Sequence, residues 1–386
     1  MVSTTLLVII YLSFISLGLP DSLLGSAWPT MVAQLGAPVW GAGLIQMMTS
    51  LCTIISSLNC TRLIRRFGTG KLTALSGMLT AAALLGMSFA PHYVFFVLLS
   101  VPLGLGAGAV DAAINNYVAL HCEPKHMNWL HCFWGLGTVI SPMVMSAVLT
   151  AGFSWTVGYQ GVSAMQFALG AVLLCTLGLW GGEKAKQEEA AAKVLSVREV
   201  LALPGAKAGM LGFTCYCAVE STFMLWSATY LVMARGFDPT LAASMGSLFY
   251  IGMTAGRGVS GFIAMKLTPK QMVRLGQTLM GAGCVMLLIG ENAVALPGLL
   301  LMGLGCAPVY PNIVQDTPRN YGAENSQAVI GVQMAFAYIG SLCMPTVFGW
   351  IAEALGYGIM PAFTLAITLA MIALYNRQQK IVDSRA

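Results

Sequence analysis

Three carboxylates interrupt long apolar runs of this chain: Asp21, Asp111 and Glu220. An ionisable side chain inside a membrane segment is costly, so it usually faces a polar cavity or a partner, and often relays protons. Asn115 lies four residues after Asp111, on the same face of a helix. Asn128, His131 and Trp134 recur every three residues and form a second polar stripe. Asp21 follows Pro20 between Gly18 and Gly25, where proline opens the backbone and glycine thins it; Trp28 closes that segment. Glu220 belongs to a stripe with Tyr216 and Met224, with Trp226 near it. Plainer readings exist for each: a neutral Asp111 packing on a neighbour, a wet vestibule at Asp21, a structural donor at His131, an aromatic packing face around Glu220. Arg257 falls close to the end of its segment and is expected to snorkel or to act as a gate.

The elements that position these residues are long apolar helices. The chain has 386 residues, 57% hydrophobic and 9% charged, against about 25% charged in a soluble domain. That composition predicts an all-α integral membrane protein rather than a barrel, whose strands would be short and alternating. Twelve spans are expected, over 4–29, 40–61, 72–90, 93–119, 128–150, 160–181, 205–233, 240–264, 272–290, 294–315, 327–350 and 358–375. The first is read as a retained helix, since it lacks a basic leader and is too long for a signal peptide. Lys and Arg concentrate in alternate loops, including Arg62, Arg65, Arg66, Lys71, Lys270 and Arg319, whereas Arg235 lies opposite. This bias predicts that both termini are cytoplasmic.

The spans repeat. Asp21-Ser22 recurs as Glu220-Ser221, and Gly104-Leu105-Gly106 as Gly303-Leu304-Gly305, both 199 residues on. Phe133, Gly137 and Pro142 recur as Phe336, Gly340 and Pro345, 203 residues on. The expected organisation is therefore two pseudo-symmetric six-helix bundles, 1–181 and 204–386, joined by a polar loop at 182–203 expected to be helical at the membrane surface. Parallel repeats of this kind are found in transporters. The glycines of 104–108 are read as sites of close helix approach, not as a nucleotide loop.

Several function classes find no support. Gly68-Thr69-Gly70-Lys71 looks like the end of a phosphate-binding loop, but Leu72 replaces the needed Ser or Thr. Neither HExxH nor GxSxG occurs, so an enzyme is not expected. The ten cysteines show no metal-ligand spacing and read as small hydrophobes; no metal or cofactor is called for. The net charge of +5 follows the loops and does not imply nucleic acid.

The chain resembles the major facilitator superfamily, and within it the fucose/galactose/glucose–proton symporters. Three stretches carry the narrower resemblance: Leu19-Pro20-Asp21-Ser22-Leu23-Leu24, Val110-Asp111-Ala112-Ala113-Ile114-Asn115-Asn116-Tyr117-Val118, and Met127 to Gly137. The resemblance implies coupling acids at Asp21 and Asp111. The family's acid in the fourth span is typically Glu, and His131 stands where Gln is frequent. Glu220 stands where an amide is common. The turn after the second span keeps Arg66 and Gly68 of the superfamily pattern but has Arg65 in place of its Asp.

The resulting expectation is a secondary transporter that moves a small neutral sugar with a proton by alternating access. Proton coupling falls to Asp111, Asp21 and Glu220. Cargo binding falls to Asp21, Asn115, Asn128, His131, Trp134, Glu220, Trp226 and Trp28, and gating to Arg66 and Arg257. The expected setting is the bilayer of a bacterial inner membrane, with the chain acting as a monomer on a small-molecule substrate. Two alternatives are an efflux antiporter for apolar drugs, favoured by 24 methionines, and a non-transporting solute sensor.

Overall fold

A computed structural model describes residues 2–37, 41–180, 191–237, 239–289 and 291–384. These residues are nearly all helical. The first repeat comprises α1 (Thr4–Gln34), α2 (Gly41–Phe67), α3 (Thr69–Ser88), α4 (Tyr93–His121), α5 (Pro124–Thr150) and α6 (Trp155–Cys175). A short α7 (Val197–Ala202) precedes the second repeat: α8 (Ala206–Arg235), α9 (Pro239–Ile263), α10 (Pro269–Leu288), α11 (Asn292–Cys306) with α12 (Val309–Gln315), the short α13 (Thr317–Tyr321), α14 (Ala323–Leu355) and α15 (Met360–Asp383). Counting α11 and α12 as one span gives the twelve expected. Ten are long and apolar enough to cross a membrane, and α9 and α10 complete the set. Residues 182–190 of the loop expected to be helical lie outside the described residues, and Val197–Ala202 within it form α7.

Burial follows the logic of a membrane protein. Large apolar side chains such as Phe95, Leu98, Met143 and Trp350 face outward, while Ser, Thr, Asn and Gln are buried between helices. With lipid as apolar as leucine, close backbone packing and hydrogen bonds hold the helices together. The glycines show how. A Cβ on Gly104 or Gly108 would lie 2.2 or 2.3 Å from the carbonyls of Thr49 and Thr53 on α2, and one on Gly106 would strike Thr80 and Ser76 of α3. The second repeat does the same: Gly303 meets Phe249 of α9, and Gly305 meets Met280 of α10. The 199-residue offset is thus a repeat of helix crossings, not of composition alone.

Two differences from the expected spans have local causes. The tenth breaks at Ala307–Pro308, because Pro308 and Pro311 lack the N–H that would continue the ladder. The Tyr216 hydroxyl donates to the Cys306 carbonyl at 3.0 Å and Asn312 Nδ2 to the Pro308 carbonyl at 2.7 Å, satisfying acceptors at the break. The fifth and eleventh spans begin earlier than expected, at Pro124 and Ala323. Those polar first turns need no lipid-facing apolar run, so hydropathy does not mark them.

The chain packs as two compact units. Unit 1 contains Met1–Cys122, Phe133–Val194 and Ala323–Met334; unit 2 contains Glu123–Cys132, Leu195–Gly322 and Ala335–Ala386. Helices α5 and α14 each pass from one unit into the other.

Candidate functional site

In unit 1, α1 and α5 touch backbone to backbone. A Cβ on Gly18 would sit 2.2 Å from the Trp134 carbonyl, and one on Gly137 2.2 Å from the Ile15 carbonyl. One turn along from this crossing, at i+3 on α1 and i−3 on α5, Asp21 meets Trp134, whose Nε1 donates to Asp21 Oδ2 at 2.9 Å. Two prolines add polar ties. Pro142 leaves the Thr138 carbonyl without its helical donor, and Ser22 Oγ donates to it at 2.7 Å. Pro20 does the same to the Ser16 carbonyl, which takes Gln166 Nε2 of α6 at 2.7 Å, while Ser16 Oγ bonds back to Gln166 Oε1. Asp21 itself is exposed.

Asp111 on α4 is 6% exposed. Asn115 Nδ2 donates to its Oδ1 at 2.8 Å and to its carbonyl at 2.9 Å. The two carboxylates of unit 1, Asp111 and Asp21, are near enough for their charges to interact. Beyond Asn115, the first turns of α14 complete the wall: Ser326 Oγ donates to Asn116 Oδ1 at 2.6 Å, and Gln327 Nε2 reaches the Ala112 carbonyl at 3.4 Å. Trp28 belongs elsewhere, edge-on to Tyr93 within the apolar core of this unit.

Unit 2 gathers a different set. Glu220 of α8 pairs with Arg257 of α9, Oε1 to Nη2, at 2.9 Å. Arg257 is only 3% exposed, which corrects the expectation of a snorkelling side chain. A guanidinium stays in the interior when a carboxylate on a neighbouring helix meets it there. Asn128, at the start of α5, pairs with Asn312 of α12: Asn312 Nδ2 donates to Asn128 Oδ1 at 3.1 Å. His131 packs edge-on against Tyr310, with ring centroids 4.7 Å apart. Trp226 donates to the Pro345 carbonyl at 2.9 Å and packs on Phe348 and Tyr357. Arg66 is exposed at the end of α2, its guanidinium over Phe67.

The sequence-predicted residues therefore fall into two groups. Asp21, Trp134, Asp111 and Asn115 share unit 1; Glu220, Arg257, Asn128 and His131 share unit 2. Gln166, Tyr310 and Ser326 were not singled out from sequence. Two had a signal: Gln166 is an amide well inside an apolar span, and Tyr310 stands 199 residues after Asp111.

The sequence matches the Major Facilitator Superfamily profile over residues 10–315 and 209–381. The chain belongs to the major facilitator superfamily. An uncharacterized MFS-type transporter of Yersinia pestis is 24% identical to this transporter over 354 residues, 85% of each chain. The 3-(3-hydroxy-phenyl)propionate transporter of Escherichia coli is 27% identical over 321 residues, covering 78% of this chain and 75% of its own. Among solved structures, the proton:xylose symporter XylE superposes with a TM-score of 0.79 at 12% identity, covering 96% of this chain and 94% of its own. FucP in the outward conformation superposes at 0.76 with 16% identity, covering 97% and 99%. The transporter thus has the major facilitator fold, and its activity is membrane transport of a small molecule.

Proposed function

We propose that this transporter carries a small neutral polyhydroxylated solute, a hexose or deoxyhexose, together with a proton. The covalent halves 1–181 and 204–386 alternate access to the two sides of a bacterial inner membrane, with both termini cytoplasmic and the chain working as a monomer. The observation that carries this reading is the exposed Asp21 carboxylate, held by Trp134 in the same unit as the Asp111–Asn115 pair. Asp111 takes the proton. Asp21 and Asn115 bond hydroxyl groups, and the Trp134 ring offers an apolar face for the sugar. Coupling means that protonation raises sugar affinity, and sugar raises proton affinity by the same factor.

The test is pH measured inside proteoliposomes of the purified protein while a panel of sugars and cationic drugs is added. Proton entry with a hexose or deoxyhexose supports the proposal, and proton movement against a drug favours the antiporter. In Asp111→Asn, exchange of labelled sugar persists while proton-driven accumulation falls to a ratio of about one. Undiminished accumulation in that variant would sink the assignment.

A second reading rests on the Glu220–Arg257 pair. A cargo carboxylate could take the place of Glu220 on Arg257, where guanidinium geometry suits it. The aromatic acid carried by the Escherichia coli relative makes arylpropionates the compounds to add to the panel. Arg257→Lys would then lower their uptake and leave sugars unaffected.

A further inference from the structure

Asp21 follows a proline inside α1. Pro20 has no N–H, so the helical ladder is open between Ser16 and Pro20, immediately before the carboxylate. Helices bend most readily at such a gap. Asp21 lies five residues beyond Ser16, about 7.5 Å along the axis. A change in bend of about 20° at Ser16 would move it by about 2.5 Å. That is enough to break its 2.9 Å bond from Trp134 Nε1. The position of Asp21 therefore depends on what holds the open turn.

Two helices hold it. On one face, Gly18 touches the backbone of α5, and Ser22 Oγ donates to the Thr138 carbonyl of α5 at 2.7 Å. Ser16 stands about 200° round α1 from Gly18, on the other face, and meets α6. There Gln166 answers both polar groups of Ser16. Its Nε2 donates at 2.7 Å to the carbonyl that Pro20 leaves without a donor, and its Oε1 accepts from the Ser16 hydroxyl. Gln166 is 1% exposed. A buried amide is costly unless it is bonded, and the bonds that offset this cost go to the open turn.

From this we infer that Gln166 is a positioning residue for transport: by tying the open turn of α1 to α6, it fixes the bend that lays the Asp21 carboxylate on Trp134. It acts through Ser16 and not on the cargo. The inference rests on the proposed role of Asp21, which transport by Asp21→Asn tests separately. Unimpaired transport in that variant would sink the role of Asp21 and leave the geometry of α1 as it is.

The experiment reads the Trp134 indole directly, in full-length protein labelled with nitrogen-15 tryptophan in detergent micelles. Each of the eight tryptophans gives one indole N–H resonance. The one missing from Trp134→Phe belongs to Trp134, and its position in Asp21→Ala marks the unbonded ring. In Gln166→Met, which removes both bonds to Ser16 at similar side-chain length, the Trp134 proton should move more than half of the way to that position. Ser16→Ala removes only the hydroxyl bond and should move it less, in the same direction. Ser163→Ala is the control for a purely structural effect. It removes a different buried bond of α6, from Ser163 Oγ to the Ala81 carbonyl at 2.8 Å, and should lower the thermal midpoint while the Trp134 proton stays in place. Two results overturn the inference: a Trp134 proton unmoved by both Gln166→Met and Ser16→Ala, or one moved as far by Ser163→Ala. Should Gln166→Met fail to fold, Ser16→Ala against Ser163→Ala decides by the same criterion.

Discussion

Arg257 and Glu220 form a pair whose members depend on each other. Removing one partner of a buried ion pair strands the other charge, at a cost of about 3–5 kcal/mol, whereas replacing both with apolar residues is often neutral. Arg257→Leu should therefore lower the thermal midpoint of the purified transporter strongly, and Glu220→Leu with Arg257→Leu should recover most of it. Additive losses would show that the two do not stabilise each other. Little of this pair is legible along the chain. The place of Arg257 in its helix is readable, but its burial is decided by a carboxylate 37 residues earlier, on another helix. The same holds for Asp21 and Trp134, each visible as a candidate, whose meeting depends on a crossing of two helices. The acid–amide pair was legible because Asp111 and Asn115 lie one turn apart on one helix.

Among the elements, glycine placement is the most readable feature. A glycine that touches a foreign carbonyl cannot be enlarged, so the repeat survives in Gly104/Gly303 and Gly137/Gly340, where Gly340 meets the Thr214 carbonyl. Enlarging Gly137 should sharply reduce folded yield, since its Cβ would overlap backbone. Gly25→Ala on α1 meets nothing within 4 Å and should be neutral or stabilising by up to about 1 kcal/mol. Fluorescence-detected size exclusion of the two variants checks both signs. Helix α7 offers a test outside the membrane. Ser196 caps it: its Oγ accepts from the Glu199 N–H at 3.3 Å, while its hydroxyl and backbone N–H donate to Glu199 Oε2 at 2.7 Å each, and the latter bonds hold the Glu199 carboxyl below its usual range. A depressed carboxyl contributes stability above its unfolded value, near 4.3, and loses it as pH falls through the folded value. The protection of α7 amides, relative to their intrinsic exchange at each pH, should therefore fall on acidification below about pH 4. Ser196→Ala should lower that protection several-fold at neutral pH, as loss of an N-cap costs about 1 kcal/mol. Protection in α7 that ignores both changes would remove the cap from the account.

Across the whole molecule, α5 and α14 exchange their first turns between the units in related ways. Asn128 meets Asn312 in unit 2, and Gln327, its counterpart 199 residues on, meets Ala112 in unit 1. The proposed alternating access would move the covalent halves against each other, so a tie between Asn128 and Asn312 should arrest it. A cleavable cross-link between cysteines at those positions, in a background without the native cysteines, should stop transport, and reduction should restore it; transport through the cross-linked protein would contradict the mechanism. The twelve-helix plan and the repeat were legible from apolar runs and glycine spacing. The exchange of helix ends was not, because the first turns of α5 and α14 are polar and resemble loop. That exchange also sets an order of assembly on the ribosome. Unit 1 includes Ala323–Met334, so the first six helices enter the bilayer well before their packing partner has been translated. Until Ser326 and Gln327 emerge, Asn116 and the Ala112 carbonyl lack their native partners. A chain that ends before Ala323 therefore leaves both units unfinished.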